Sequence, residues 1–296
     1  MSYPVEVMLI INPPLDYASW DEKLQANRAH SVVRFHDQLS RYNKAGNVKW
    51  AWGSYPLFSA FNARINLSSF VVVFSAKDME EYKTFMAECP LSDNSVFITI
   101  PLVSLADDFE EDERTRESLR KFHSDKASTA EINRVRASYL KPPSYFDEKT
   151  VAPINPPNVH TNFSDSSEAG VSYLLYGVGP EGSAHWSDLK RAIYSEKVFW
   201  WYAYAGDLIK RGKITHGWSV SPFCDVISVR QNCKGGVVIL NAMDMNELTE
   251  LYRFNPLFDE AEFLSISLRC IARQREADIL LAKKFSKASS AKGKRS

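Results

Sequence analysis

Apolar positions along this chain switch between a strand rhythm and a helix rhythm in a fixed order. Val5 to Ile11 is a short apolar run, which predicts a strand. Val32, Phe35, Leu39 and Tyr42 then recur at three- and four-residue steps, so they share one helical face, and Gly46 follows as a C-terminal cap. From Val48 to Ile65 the β-branched and aromatic residues, broken by Pro56, predict a hairpin or a bent strand. Phe70 to Phe74 is apolar throughout, so both faces of that strand should be covered. Asp78 stands where an N-cap belongs, before a helix that buries Tyr82, Phe85 and Met86, and Ser95 to Ile100 is a last strand.

The same order returns 166 positions later. Trp20 falls on Trp186 (186 − 20 = 166), and the shift carries Pro14 onto Pro180, Gly46 onto Gly212, Trp52 onto Trp218, Pro56 onto Pro222 and Pro90 onto Pro256. No gap is needed from Val5/Val171 to Ile100/Ile266, which requires every loop to keep its length. The expectation is a tandem duplication. In the second copy Val171 to Tyr176 is the first strand, and Leu189, Ile193, Trp200, Tyr204 and Leu208 form the helical stripe. Ile214 to Val229 and Val237 to Leu240 give the middle strands; Asp244, Leu248, Leu251 and Tyr252 mark the second helix, and Phe263 to Leu268 the last strand.

Each copy therefore reads β-α-β-β-α-β, the order of a ferredoxin-like unit with both helices on one face of an antiparallel sheet. The bare face must be buried, and the other copy's sheet is the nearest partner. The expected fold is α+β, with two ferredoxin-like domains forming an intramolecular dimeric α+β barrel. Copy one spans residues 1–103 and copy two 171–270. Between them, 104–170 reads as a solvated charged helix, with acids from Asp107 to Glu113 and bases from Arg114 to Lys121, followed by a Pro-rich strap. Residues 271–296 read as a helix that frays into a basic tail.

Composition narrows the partners. Lys plus Arg and Asp plus Glu each number 36, which disfavours a polyanionic partner such as nucleic acid. No apolar run approaches the ~20 residues of a membrane span, and the N-terminus lacks a secretory pattern. Cys89, Cys224, Cys233 and Cys270 show neither metal spacing nor a disulfide framework, so a cytoplasmic location is expected and no metal or other cofactor is called for. No phosphate loop, dinucleotide fingerprint or nucleophile elbow occurs.

Phe254-Asn255-Pro256-Leu257-Phe258, followed by Phe263-Leu264-Ser265-Ile266, resembles a muconolactone isomerase-like domain of the dimeric α+β barrel superfamily. Gly206 to Ile214 resembles the helix-to-strand corner of YCII-type domains, and copy one keeps Pro90-Leu91 but has Ser92 in place of the phenylalanine. The resemblance implies both halves of a barrel in one chain, a small-molecule substrate, and a cofactor-independent isomerase or cyclase. A non-catalytic ligand-binding or assembly protein and a cofactor-free monooxygenase are the alternatives, and a homo-oligomer is left open. The YCII-type His and Asp pair is absent from both first strands.

Proton transfer beside a carbonyl needs a base that works near neutral pH and a donor for the enolate oxygen. His216 shares a strand face with Trp218, so His216 with Tyr202 and Tyr173 is the expected catalytic set. Trp218, Trp200, Tyr176, His36 and Trp52 are the expected ligand contacts. Copy one has Trp50 opposite His216, so a plain aromatic serves there, and His36 is matched by Tyr202. Core packing competes with ligand binding for the aromatic run Phe199 to Tyr204.

Overall fold

The structure, a computed structural model, describes residues 5–54, 68–126, 142–157, 171–178, 186–220, 235–259 and 261–292. It divides into two compact units. The first comprises the chain up to Pro101 together with Ile266–Ser296, and the second comprises Leu102–Val159 together with Gly170–Ser265.

In the first unit the strands β1 (Val5–Asn12), β2 (Val48–Ser54), β3 (Ser69–Ala76) and β4 (Val96–Val103) accompany helices α1 (Glu22–Lys44) and α2 (Met79–Ala87). β1 pairs with both β3 and β4, and β3 pairs with β2, all antiparallel. Alternation along the strands sends Val7, Leu9, Ile11, Val72 and Phe74 toward the helices, where they meet Val32, Phe35, Leu39 and Phe85. Met8, Ile10, Trp50, Trp52, Val71 and Val73 take the other face and are buried too, as the continuous apolar runs require. Asp78 caps α2 through a bond from the Glu81 amide, and Gly46 ends α1 with a φ of 87°, a left-handed conformation that side chains resist.

The second unit repeats these elements at the same offset. β5 (Val171–Val178), α4 (Asp188–Lys210), β6 (Ile214–Val220), β7 (Gly235–Ala242) and α5 (Met245–Arg253) each begin and end 166 residues after β1, α1, β2, β3 and α2. β7 pairs antiparallel with β5 and β6. Even the bulge recurs, between Val48 and Trp50 in β2 and between Ile214 and His216 in β6. Gly212 has a φ of 69°, and Asp244 caps α5.

One further pair of elements obeys the offset. α3 (Leu105–Lys126) follows β4, and α6 (Ile271–Lys292) follows β8 (Glu262–Cys270); 105 + 166 = 271 and 126 + 166 = 292. α3 belongs to the second unit, and α6 to the first. This corrects the expectation of a solvated linker helix from residue 104. Leu105 and Phe109 are buried among Phe199, Tyr202 and Leu208 of α4. Positions 105, 109, 112 and 116 make one stripe, but Asp112 and Arg116 occupy half of it, so its apolar signal is weak. α6 likewise buries Ile271, Gln274, Asp278 and Ala282, and the helix expected from residue 271 runs to Lys292. Pro56, Pro222, Cys224, Cys233, His160 and His185 lie outside the described residues.

If α3 is part of the second core, Phe109→Ala should cost about 3–5 kcal/mol in urea unfolding, whereas exposed Glu110→Ala should stay within about 0.5 kcal/mol. Equal small effects would return α3 to the role of a solvated connector.

Candidate functional site

The first unit encloses a polar cluster where α1, α6 and the start of β3 meet. α1 presents Arg28 and His36 on the stripe that also buries Val32, Phe35 and Leu39. α6 presents Gln274 and Asp278, one turn apart. Arg28, His36 and Asp278 are only 2–3 % exposed, so their charges must be answered internally. Asp278 answers three neighbours: its Oδ2 lies 2.8 Å from His36 Nε2, and its Oδ1 accepts from the Ser68 hydroxyl and from Gln274 Nε2 at 3.1 Å. Gln274 also donates to Ser68 Oγ at 3.1 Å. Phe70 meets the His36 ring edge-on, 5.3 Å between centroids.

Arg28 donates from Nη2 to the Ser68 carbonyl at 3.0 Å and from Nε to the Asn94 carbonyl at 3.3 Å. Burial pulls its guanidinium down to about 10, with Tyr17 and Asp278 acting the other way, so it remains cationic at neutral pH. Beside it, Tyr17, Arg28, Ala29, Val32, Ser68, Asp278 and Leu281 line a small cavity with room for about one water molecule. Ser, His and Asp are all present, but the carboxylate bonds to both the hydroxyl and the ring, so this is not the relay of a serine nucleophile.

The second unit builds the equivalent place differently. Tyr202 stands at the position of His36, and Asp112 at that of Asp278 (36 + 166 = 202; 112 + 166 = 278). The Tyr202 hydroxyl donates to Asp112 Oδ2 at 3.0 Å. Ser219 donates to Asp108, the counterpart of Gln274. Where the first unit has Arg28, the second has Tyr194. The Tyr173 hydroxyl points to Met245 Sδ at 3.4 Å, and the Tyr204 hydroxyl donates to the Leu251 carbonyl at 2.7 Å. Burial, then Asp112 and Asp108, pushes the Tyr202 phenol well above the usual range, and burial does the same to Tyr204.

The expected catalytic set is not brought together. His216 and Trp218 do share a face, with rings 6.0 Å apart and nearly parallel, and His216 Nδ1 lies 2.9 Å from Thr215 Oγ1. His216 pairs with Ile239, which also faces Leu174; Tyr173 pairs with Leu240 and points to the opposite side, into the helix-facing core that holds Tyr202. The β6 bulge between Ile214 and His216 leaves Ile214 in that core and turns His216 away from it. Trp200 is buried on α4 against Phe146, Trp52 is buried in β2, and the side chain of Tyr176 lies outside the described residues. Of the expected contacts only His36 belongs to the polar cluster. Arg28, Ser68, Gln274 and Asp278 were missed, and the available signal was charged or polar residues placed on otherwise apolar helical stripes.

No protein-family model and no curated protein matches the chain. Among solved structures, a mutant chlorite dismutase from Candidatus Nitrospira defluvii aligns over 94 % of this chain and 95 % of its own at 10 % identity and a TM-score of 0.48. The same enzyme in complex with imidazole gives 11 % identity over the same shares, with a TM-score of 0.46. A putative monooxygenase from Fusobacterium nucleatum gives 7 % identity over 90 % of this chain and 93 % of its own, with a TM-score of 0.37. At such identities none of these matches assigns a role to a residue.

A raised phenol favours the neutral, folded form, so its stabilisation is complete below the unfolded value near about 10 and is lost as pH rises toward the folded one. Urea unfolding between pH 8 and 11 should therefore show wild type losing stability above pH ~10 and Tyr202→Phe losing less. Identical slopes would mean that Tyr202 ionises as freely folded as unfolded.

Proposed function

We propose that the first unit moves a proton on a small carbonyl-containing compound, and that the chemistry sits at Asp278 and Arg28 rather than at His216. The observation that carries this reading is a buried carboxylate and a buried guanidinium lining one cavity. The cavity as it stands has room for about one water molecule, so the end group of a substrate would enter by widening it, with the rest left outside. Asp278 would accept a proton from the carbon next to the carbonyl, the C–H pair would become the new C=C bond, and Arg28 would hold the oxyanion that forms. Return of the proton at another carbon gives isomerisation, and attack of the enolate carbon on a second carbonyl gives cyclisation. His36, bonded to Asp278 Oδ2, is a positioning residue that holds the orientation of the carboxylate.

This reading keeps the isomerase or cyclase expectation of a muconolactone isomerase-like chain and moves its centre to the first copy. It also keeps the two halves as ferredoxin-like copies from a tandem duplication, forming an intramolecular α+β barrel. The shared offset of the elements supports the duplication. A second reading is non-catalytic: the Tyr202 hydroxyl repeats the contact to a carboxylate at Asp112, which favours a plain fastening of α3 and α6.

Deuterium uptake at acidic C–H bonds, followed by proton NMR over a panel of small keto acids and lactones, separates the two. Asp278→Asn should slow exchange on the accepted compound at least about 100-fold, with circular dichroism unchanged, while Tyr202→Phe leaves it intact. Full activity in Asp278→Asn would remove the carboxylate from the chemistry. Oxygen consumption in step with turnover would instead favour the monooxygenase alternative.

A further inference from the structure

Two methionines flank Asp244 where α5 begins. Met243 is 78 % exposed and Met245 60 %, so both thioethers are open to oxidants in the solvent. Only one of the two sulfurs meets a donor among the described residues: the hydroxyl of Tyr173, a buried residue of β5, donates to Met245 Sδ at 3.4 Å. The first unit supplies the comparison. Met79 opens α2 as Met245 opens α5 (79 + 166 = 245) and is 49 % exposed, but the counterpart of Tyr173 is Val7 (7 + 166 = 173), which has no hydroxyl.

A thioether sulfur carries two lone pairs, and oxidation at one or the other gives the two epimers of the sulfoxide, each reduced by its own class of reductase. At Met245 the lone pair that accepts the Tyr173 proton is engaged, and the other is free. We propose that Met245 is a reversible oxidation site at which Tyr173 selects the epimer, so that one class of methionine sulfoxide reductase resets it and the other finds little to act on. The oxidant is hydrogen peroxide. The free lone pair of Sδ attacks one peroxide oxygen, the S–O bond forms as the O–O bond breaks, sulfur gives up two electrons, and the second oxygen leaves as water. In the reset, the sulfoxide oxygen leaves as water while two thiols of the reductase are oxidised to a disulfide. The mark turns an apolar side chain polar in the first turn of α5, where the Tyr173 hydroxyl ties that helix to β5. No residue of the Arg28–Asp278 cluster takes part, so the inference goes beyond the proton-transfer reading and does not rest on it.

The test oxidises the folded full chain with dilute hydrogen peroxide, removes the peroxide, digests the protein, and treats portions of the peptides with the S-specific or the R-specific reductase. Mass spectrometry with fragmentation then reads the sulfoxide left at each methionine. One reductase should clear at least about three-quarters of the Met245 sulfoxide, the bias that a single weak hydrogen bond on one lone pair supports. At Met79 and Met243 each reductase should clear about half. Tyr173→Phe, which keeps the ring and removes the hydroxyl, should bring Met245 to the same even division. An even division at Met245 in the wild type would overturn the proposal, as would a bias that survives in Tyr173→Phe. A Met245 that stays reduced while Met243 is oxidised would overturn it as well.

Discussion

The Asp278 carboxylate on α6 is buried and has to be satisfied away from water, and the partly buried Asp112 on α3 takes the corresponding place in the second unit. Asp278 in α6 and Asp112 in α3 occupy corresponding positions on helices whose buried stripes also carry Gln274 and Arg116. An unanswered charge there would cost several kcal/mol. The first unit answers with a ring nitrogen, a hydroxyl and an amide. The second answers Asp112 with a phenol. Both devices fix the rotation of the last helix, because turning it by one residue would carry the carboxylate off its donor and a polar group into the apolar core.

The two solutions differ in what else they leave available. A phenol raised far above its ordinary range stays neutral, so the second unit's contact is insensitive to pH over the physiological range. In the first unit the buried Arg28 guanidinium stands close to the carboxylate. The same fold position thus holds a phenol in the second unit and an imidazole in the first.

Much of the framework was legible in the sequence. The 166-residue shift predicted the paired elements, and Gly46, Gly212, Asp78 and Asp244 do the work their residue types announce. Helices were expected at both places, but their burial was not legible because the buried stripes are half polar. Leu105 and Phe109 are followed by Asp112 and Arg116, and Ile271 by Gln274 and Asp278, so a search for apolar periodicity passes over them. The site was hidden for the same reason. His216 attracted notice because it alternates with Trp218 on a strand, yet the bulge and the pleat turn it away from Tyr173 and Tyr202. Arg28 was not singled out from the sequence, and the fold buries it.

The bond between His36 and Asp278 is the contact on which this account turns, and a double-mutant cycle measures it most directly. Chemical unfolding of wild type, His36→Ala, Asp278→Ala and the double variant at pH 7 should give a coupling of about 1 kcal/mol or more, with the second substitution costing far less than the first. Additive losses, with no coupling beyond error, would mean that the two side chains do not hold one another, and the central contact would be gone.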